Sequence, residues 1–428
     1  MRARPRPYYG WWIVLASTLA MALSSGTSFW TFGVYIDPLE EEFGWTRTQL
    51  SGAVSGSLVV SGLVGPLVGA AVDRYGARLL ILVGAILTGG CYLLLGSISE
   101  LWHFYAINLT AAFFRPWMFY IPFNSLLTRW FDRRRGMAIG IANAGFGLGG
   151  AAFVPFIAFI IEQWGWRQAY ATSGVILIAI LAPLALLVIR SRPEEMGLSV
   201  DGVAPEPVAP TAPQPREASR SDGSQWTVAT ATRTAAFWLL ALAFMLFFGG
   251  RISFLVHTVP FYISRGIGDQ QAAQLVGYAA ILAVVARLGF SIVVDRVPSI
   301  RLTAVGMALM HTAAVVLVTA TTEPFALGLF VLLWGVASGS GPMLEPLLIS
   351  KTFGVANFGA ILGAMGMVET LGMLVAPIVG GAIFDARGSY DVAFLLYAAI
   401  FALSALFFLV FRPPRPAATA EAVGEARA

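Results

Sequence analysis

Apolar stretches long enough to cross a bilayer recur from one end of this sequence to the other, and they leave the chain few architectures. A hydrocarbon core of ~30 Å is crossed by ~20 residues of helix. One such run is "WWIVLASTLAMALSSGTSFWTFGVYI", residues 11–36. Inside lipid every backbone polar group must bond internally, so only helices and closed barrels span it. These runs contain Gly and Pro and lack the period-two alternation of barrel strands, so they read as helices. The composition agrees, with 57% hydrophobic and 12% charged residues, against about 25% charged in soluble domains. The hydropathy pattern predicts an all-α polytopic membrane protein with twelve spans. Their expected limits are 11–36, 48–72, 79–98, 103–128, 137–161, 167–189, 237–263, 271–294, 302–320, 325–350, 358–384 and 390–411. The basic start (Arg2, Arg4, Arg6) leads into a run too long for a signal core, so no cleavable signal is expected.

The basic residues orient these spans. With the N-terminus inside, 20 of the 27 Arg and Lys residues fall in cytoplasmic segments, and only Arg47, Arg167, Arg265 and Arg387 fall outside. That asymmetry predicts a multi-pass protein of the inner or plasma membrane with both termini cytoplasmic. The net charge of +4 then reflects topology, and no nucleic-acid partner is expected. Residues 190–236, rich in Pro, Ala and Ser, read as a flexible cytoplasmic linker. The expected organisation is a six-helix bundle over 1–189, the linker, a second bundle over 237–411, and a disordered tail over 412–428. Cys91 is the only cysteine, and His103, His257 and His311 lie in separate segments. Neither a disulfide nor a metal site is expected, and no cofactor. No nucleophile–base pair or phosphate loop suggests an enzyme, and "GFGLGG" (145–150) lies within an apolar span, not after a Rossmann strand.

Two stretches repeat. "GAAVDRYGAR" (69–78) and "SIVVDRVPSIR" (291–301) each end the second span of a half with Asp-Arg and reach a further Arg before the next span. The first holds Gly69, Asp73, Arg74, Gly76 and Arg78; the second keeps Asp295 and Arg296 but has Ser291 in place of the glycine. The basic turn anchors the loop on one side, the glycine permits close helix approach, and the aspartate is placed to pair with a base or cap a helix. Matching copies in two six-span halves point to a duplicated transporter architecture.

At these residues the chain resembles the major facilitator superfamily, and more narrowly its monocarboxylate and oxalate/formate transporter group. The likeness is carried by "YYGWWIVLAS" (8–17), "FGVYIDPLEEEFGWTRTQL" (32–50), "RWFDRRRGMAIGIANAGFGLGG" (129–150), "GWRQAY" (165–170), "RPEEMGL" (192–198) and "GGAIFDARGSYDVAF" (380–394). The resemblance implies two six-helix bundles around a central cavity with alternating access. It also implies that the span-eight arginine, here Arg287, holds a substrate carboxylate. Four departures stand out. The proton-coupled carriers it resembles have a lysine near the place of Trp30 and an aspartate at the place of Ala283, and the oxalate exchangers have a span-eleven lysine where this chain has Glu369. The usual glycine-rich opening of span four is replaced by "FFRPWMFY" (113–120).

Charges inside the spans mark the candidate site. Arg115, Arg251 and Arg287 lie within spans four, seven and eight, Glu345 and Glu369 within ten and eleven. An intramembrane arginine costs ~2.5–3.5 kcal/mol on insertion scales and usually faces a bundle interior. One reading pairs Arg287 with Glu369, and Arg115 or Arg251 with Glu345, as charge neutralisation alone. The other leaves guanidinium groups free for a carboxylate, which they bind bidentately. Helical spacing puts Ser24, Ser28, Thr31 and Tyr35 on one face of span one, Asn108 with Arg115 in span four, Tyr120 with Asn124 beside them, and Trp334 and Ser338 with Glu345. Arg287, Arg251, Arg115, Tyr120, Asn124, Ser28, Trp30 and Asn143 are the expected substrate contacts, with Glu369, Glu345 and His257 as groups for coupling or gating. The small pairs Gly65/Gly69, Gly136/Gly140, Gly335/Gly339 and Gly359/Gly363 read as packing. The expected function is a secondary transporter of a small organic anion, a proton symporter working as a monomer. The alternatives are an anion exchanger, an exporter of bulkier aromatic compounds in the same fold, and a membrane sensor.

Overall fold

The computed structural model describes residues 8–202 and 226–414, and these form twelve membrane-crossing helical segments. Span one runs Gly10–Ser25, passes through a π turn at Gly26–Trp30, and continues over Phe32–Phe43. Span two is Arg47–Tyr75 and span three Ala77–Leu95. Span four is broken: Leu101–Phe114, a 3₁₀ turn at Arg115–Met118, then Tyr120–Trp130. Residues 135–164 and 166–187 are spans five and six, divided at Gly165. The second half holds Ala235–Ser264, Asp269–Val293, Ile300–Ala320, Pro324–Phe353, Phe358–Arg387 and Asp391–Val410 as spans seven to twelve. Span one is longer than hydropathy alone suggests, because its helix continues past residue 36 through a polar stretch to Phe43.

Local chemistry sets the breaks. Span two begins on a capping box, in which Thr46 accepts from the Gln49 N–H and the Gln49 side chain accepts from the Thr46 N–H. Pro116 cannot donate to a helix ladder, and span four unwinds there. Gly165, at φ 83° and ψ 165°, turns the chain between spans five and six in a conformation that residues with a Cβ avoid. Nothing crowds that position, so Gly165→Ala isolates the backbone penalty. A loss of about 1–3 kcal/mol is expected, read as a lowered melting temperature of the purified protein without loss of monodispersity.

The duplication is visible in three dimensions. Arg78, at the start of span three, donates to the Ala185 and Leu186 carbonyls that end span six. Arg301, at the start of span nine, donates to the Phe411 carbonyl that follows span twelve. Each satisfies terminal carbonyls with a cation, the favourable sign at a helix C-terminus. At the opposite face Glu42 and Arg167 pair at 2.6 Å between spans one and six, and Arg265 and Asp391 pair between seven and twelve. The signs are exchanged but the positions correspond.

Large apolar side chains such as Leu63, Ile281, Val285 and Ile378 point outward, as a lipid-facing surface requires. Helices meet inside through small residues. A methyl on Gly339 would lie 2.7 Å from the Ala283 carbonyl oxygen, and one on Gly249 2.7 Å from that of Gly372. Within the segment expected as linker, residues 190–202 and 226–236 carry short turns and helices pinned to the body. Asp201 accepts from the Asp132 and Arg133 N–H groups, and Asn357 donates to the Trp226 carbonyl. Its middle, 203–225, and the tail from 415 lie outside the described residues.

Candidate functional site

A cavity of about 610 Å³ lies between the two halves. Both irregular segments of the first half border it: the π turn of span one presents Thr27, Ser28 and Phe29, and the break in span four presents Arg115, Phe119 and Tyr120. Span five adds Asn143 and Phe146. The second half contributes Phe248 and Arg251 from span seven, Arg287 from span eight, Glu345 from span ten and Glu369 from span eleven. Non-helical backbone at membrane depth is tolerated where it lines such a cavity.

The cavity is closed at the face that carries the chain termini. Along span two its lining runs from Val54 to Gly65, and one turn further Gly69 crosses Gly359 of span eleven with backbone against backbone. Beyond that crossing, Asp73 accepts from the Gly359 and Ala360 N–H groups at 3.3 and 2.8 Å and pairs with Arg129 at 2.9 Å. The second repeat does the same in reverse. Asp295 accepts from the Gly136 and Met137 N–H groups, at 2.7 and 3.0 Å, at the start of span five. Each aspartate therefore caps the N-terminus of a helix in the other half, where the macrodipole favours an anion. Arg74 lies over the ring of its neighbour Tyr75, and Gly76, at φ 82°, permits the turn into span three. The ion pairs of the opposite face, by contrast, each stay within one half.

Neither neutralising pair considered from the sequence is present: among the described residues no carboxylate lies within ion-pair distance of Arg115, Arg251 or Arg287. Arg287, 5% exposed, donates from Nε to the Gly339 carbonyl (3.2 Å) and from one terminal nitrogen to the Asn143 carbonyl of the other half (2.9 Å). The Arg251 Nε is buried without an acceptor. The acids gather elsewhere. Tyr120 donates to Glu345 Oε2 at 2.9 Å, with the Pro342 carbonyl equally near, and Glu369 lies beside Glu345. Oε1 of each glutamate is buried without a partner.

Several expected contacts fall outside the cavity lining. Trp30 sits on the outer side of span one, where its indole donates to the Phe146 carbonyl and its ring packs on Phe29 and Phe146. Asn124 is fully buried behind the wall and accepts from Asn143. His257 bonds the Pro377 carbonyl and packs on Tyr390, away from the cavity. Ser24 donates to the Met118 carbonyl, and Trp334 and Ser338 pack around His311. Helical spacing groups these residues on their faces, but Ser24 and Asn124 are covered by neighbouring helices and Trp30, 37% exposed, lies outside the cavity lining. The sequence reading missed Tyr92 and Tyr170, which line the cavity with Tyr35, the Tyr35 and Tyr170 rings being stacked at 3.9 Å. These three come from spans one, three and six, so no local spacing announces them.

A lipid-facing helical body that encloses a largely apolar central chamber bordered by a few charged groups, sealed at one face by paired helix caps, defines a membrane transporter. The Major Facilitator Superfamily profile matches residues 18–372, and the chain belongs to that family. It is 29% identical to human monocarboxylate transporter 11 (Homo sapiens) over 95% of this chain and 84% of that one, and 26% identical to bovine monocarboxylate transporter 13 (Bos taurus) over 91% and 86%. Its fold matches the solved outward-conformation structure of the superfamily transporter FucP with a TM-score of 0.71 at 14% identity, covering 94% of this chain and 98% of that one.

Proposed function

We propose that this protein is a secondary active carrier of a small organic anion, a monocarboxylate-like molecule, moved by alternating access and coupled to protons. The observation that carries this reading is the separation of charge in the cavity. Arg287 and Arg251 border it without a carboxylate partner while two buried glutamates stand nearby unpaired to any cation. A guanidinium left unneutralised at membrane depth is stabilised by an anion that completes its bonding. The likeness to monocarboxylate transporters supports a carboxylate. The basic-residue asymmetry supports a cell-membrane protein whose sealed, terminal face is cytoplasmic, so the form described here faces outward. One chain supplies both walls of the cavity, so the monomer is the working unit.

The cargo has an apolar or aromatic body. A chamber of about 610 Å³ is in the range that encloses drug-sized ligands, and Phe29, Phe119, Phe146 and Phe248 form much of its wall. The same wall suits the alternative of an exporter of bulky amphiphiles. Thermal-shift measurements against lactate, phenyllactate, succinate and a neutral phenyl alcohol test the reading. A ligand at a hundred times its Kd stabilises by about 2.7 kcal/mol. Phenyllactate is expected to raise the melting temperature most, the neutral alcohol not at all. Equal shifts with the alcohol would overturn the anion assignment in favour of the amphiphile exporter.

A further inference from the structure

We infer that the Glu345 and Glu369 carboxyls hold one proton between them, and that this shared proton is the coupling proton, positioned so that its departure dislodges the anion from Arg287. The inference rests on the anion reading above and gives it a mechanism. It starts from unfinished bonding. An ionised carboxylate only accepts hydrogen bonds. Glu345 and Glu369 are neighbours on spans ten and eleven, 1% and 4% exposed, and each keeps a buried Oε1 with no protein partner. Two ionised groups so placed repel and have nothing to donate to one another. One added proton turns either into a donor to the other, which satisfies an orphaned oxygen and removes the repulsion, the arrangement seen wherever two carboxyls share one buried site.

The groups that face the pair define what the proton controls. From span four the Tyr120 hydroxyl donates to Glu345 Oε2. From span eight Arg287 approaches the same hydroxyl, with Arg251 of span seven behind it. The bonds that Arg287 makes go to the Gly339 and Asn143 carbonyls, not to the acids. With one proton present the pair carries one negative charge, and the guanidinium stays available to cargo. When the proton leaves to water, its O–H bond breaks and both bonding electrons stay on the carboxyl oxygen. The pair then carries two negative charges beside Arg287, which compete with the bound carboxylate for it. Anion and proton therefore bind together and leave together, which is symport. The Tyr120 bond also ties the two halves at the cavity floor, so the seat sits where the halves must part for the terminal face to open.

Two measurements on the full-length protein test this. Equilibrium binding of phenyllactate and of L-lactate is followed across pH. In the wild type Kd is expected to rise tenfold per pH unit once the seat empties. In the Glu345→Gln/Glu369→Gln double variant that slope is expected to vanish, whatever the absolute Kd. A slope retained in the double variant overturns the proposal, as does a flat wild-type profile with good binding. Infrared difference spectra of wild type minus Glu369→Gln, without ligand, read the seat directly: a protonated-carboxyl stretch at neutral pH supports it, and only ionised carboxylate overturns it. If neither probe binds the wild type, the anion reading fails while the infrared result still decides the shared proton. The same binding series is run with L-phenylalanine: binding of L-phenylalanine that is lost in Glu369→Gln, with no pH slope in the wild type, would make the acids a seat for a cargo ammonium instead, and overturn the proton.

Discussion

Arg287→Ala is expected to abolish anion binding and uptake. Arg287 is buried, bordered by the chamber, and held by two carbonyls rather than by an acid. Truncating one member of a buried, hydrogen-bonded charge pair costs about 2–5 kcal/mol, a factor of roughly 30 to several thousand in Kd. Arg287→Lys is expected to fail by at least about tenfold, because a point charge lacks the planar fork that grips the Gly339 and Asn143 carbonyls while presenting its remaining edge to a carboxylate. Calorimetric titration with phenyllactate on monodisperse protein measures both. Tight binding in Arg287→Ala would remove the basis for an anionic cargo at this position. Arg251→Ala serves as comparison, since Arg251 borders the same chamber and its loss leaves the two carbonyl bonds of Arg287 intact.

Gly69→Leu is expected to arrest the carrier with its terminal face open. A Cβ at position 69 collides with the Gly359 carbonyl, a backbone atom with no rotamer to yield, and one at 363 collides with the Gly65 carbonyl. Helix crossings of this kind depend on small residues for close approach. A separation of even one ångström would also pull Asp73 from the Gly359 and Ala360 N–H groups. The sealed form then loses two charge-assisted bonds, each contributing about 1.5–3 kcal/mol, while the form with the halves parted at this end loses none. Transport is expected to fall more than tenfold with the protein still folded. A single reporter cysteine at Ser57, on a Cys91→Ser background, would become slower to label from the opposite face. Unchanged labelling together with full transport would show that the crossing is not a closure.

Hydropathy made the fold legible because burying a backbone in lipid is a local problem. Each run of ~20 apolar residues must close its own hydrogen bonds, and nothing distant alters that. The paired Asp-Arg turns, the basic asymmetry and the buried arginines were equally local signals. Arg115, Arg251 and Arg287 were found from sequence because a guanidinium in an apolar run is anomalous by itself. Trp30, Asn124 and His257 show where this reasoning stops. Helical spacing says which residues share a face, but not which neighbouring helix covers it, and all three faces are covered or turned outward.

The sequence by itself determined that this chain crosses a membrane as a duplicated set of helices, with charged side chains within its spans. Only the tertiary structure decided how that charge is deployed. It set Glu345 beside Glu369 instead of opposite the arginines, tied Tyr120 across the halves, and placed Asp73 and Asp295 on the helix ends of the other half. The physical reason is range. Desolvation acts on each segment alone, whereas a hydrogen bond or ion pair acts over ~3 Å between atoms whose separation along the chain carries no information about their separation in space.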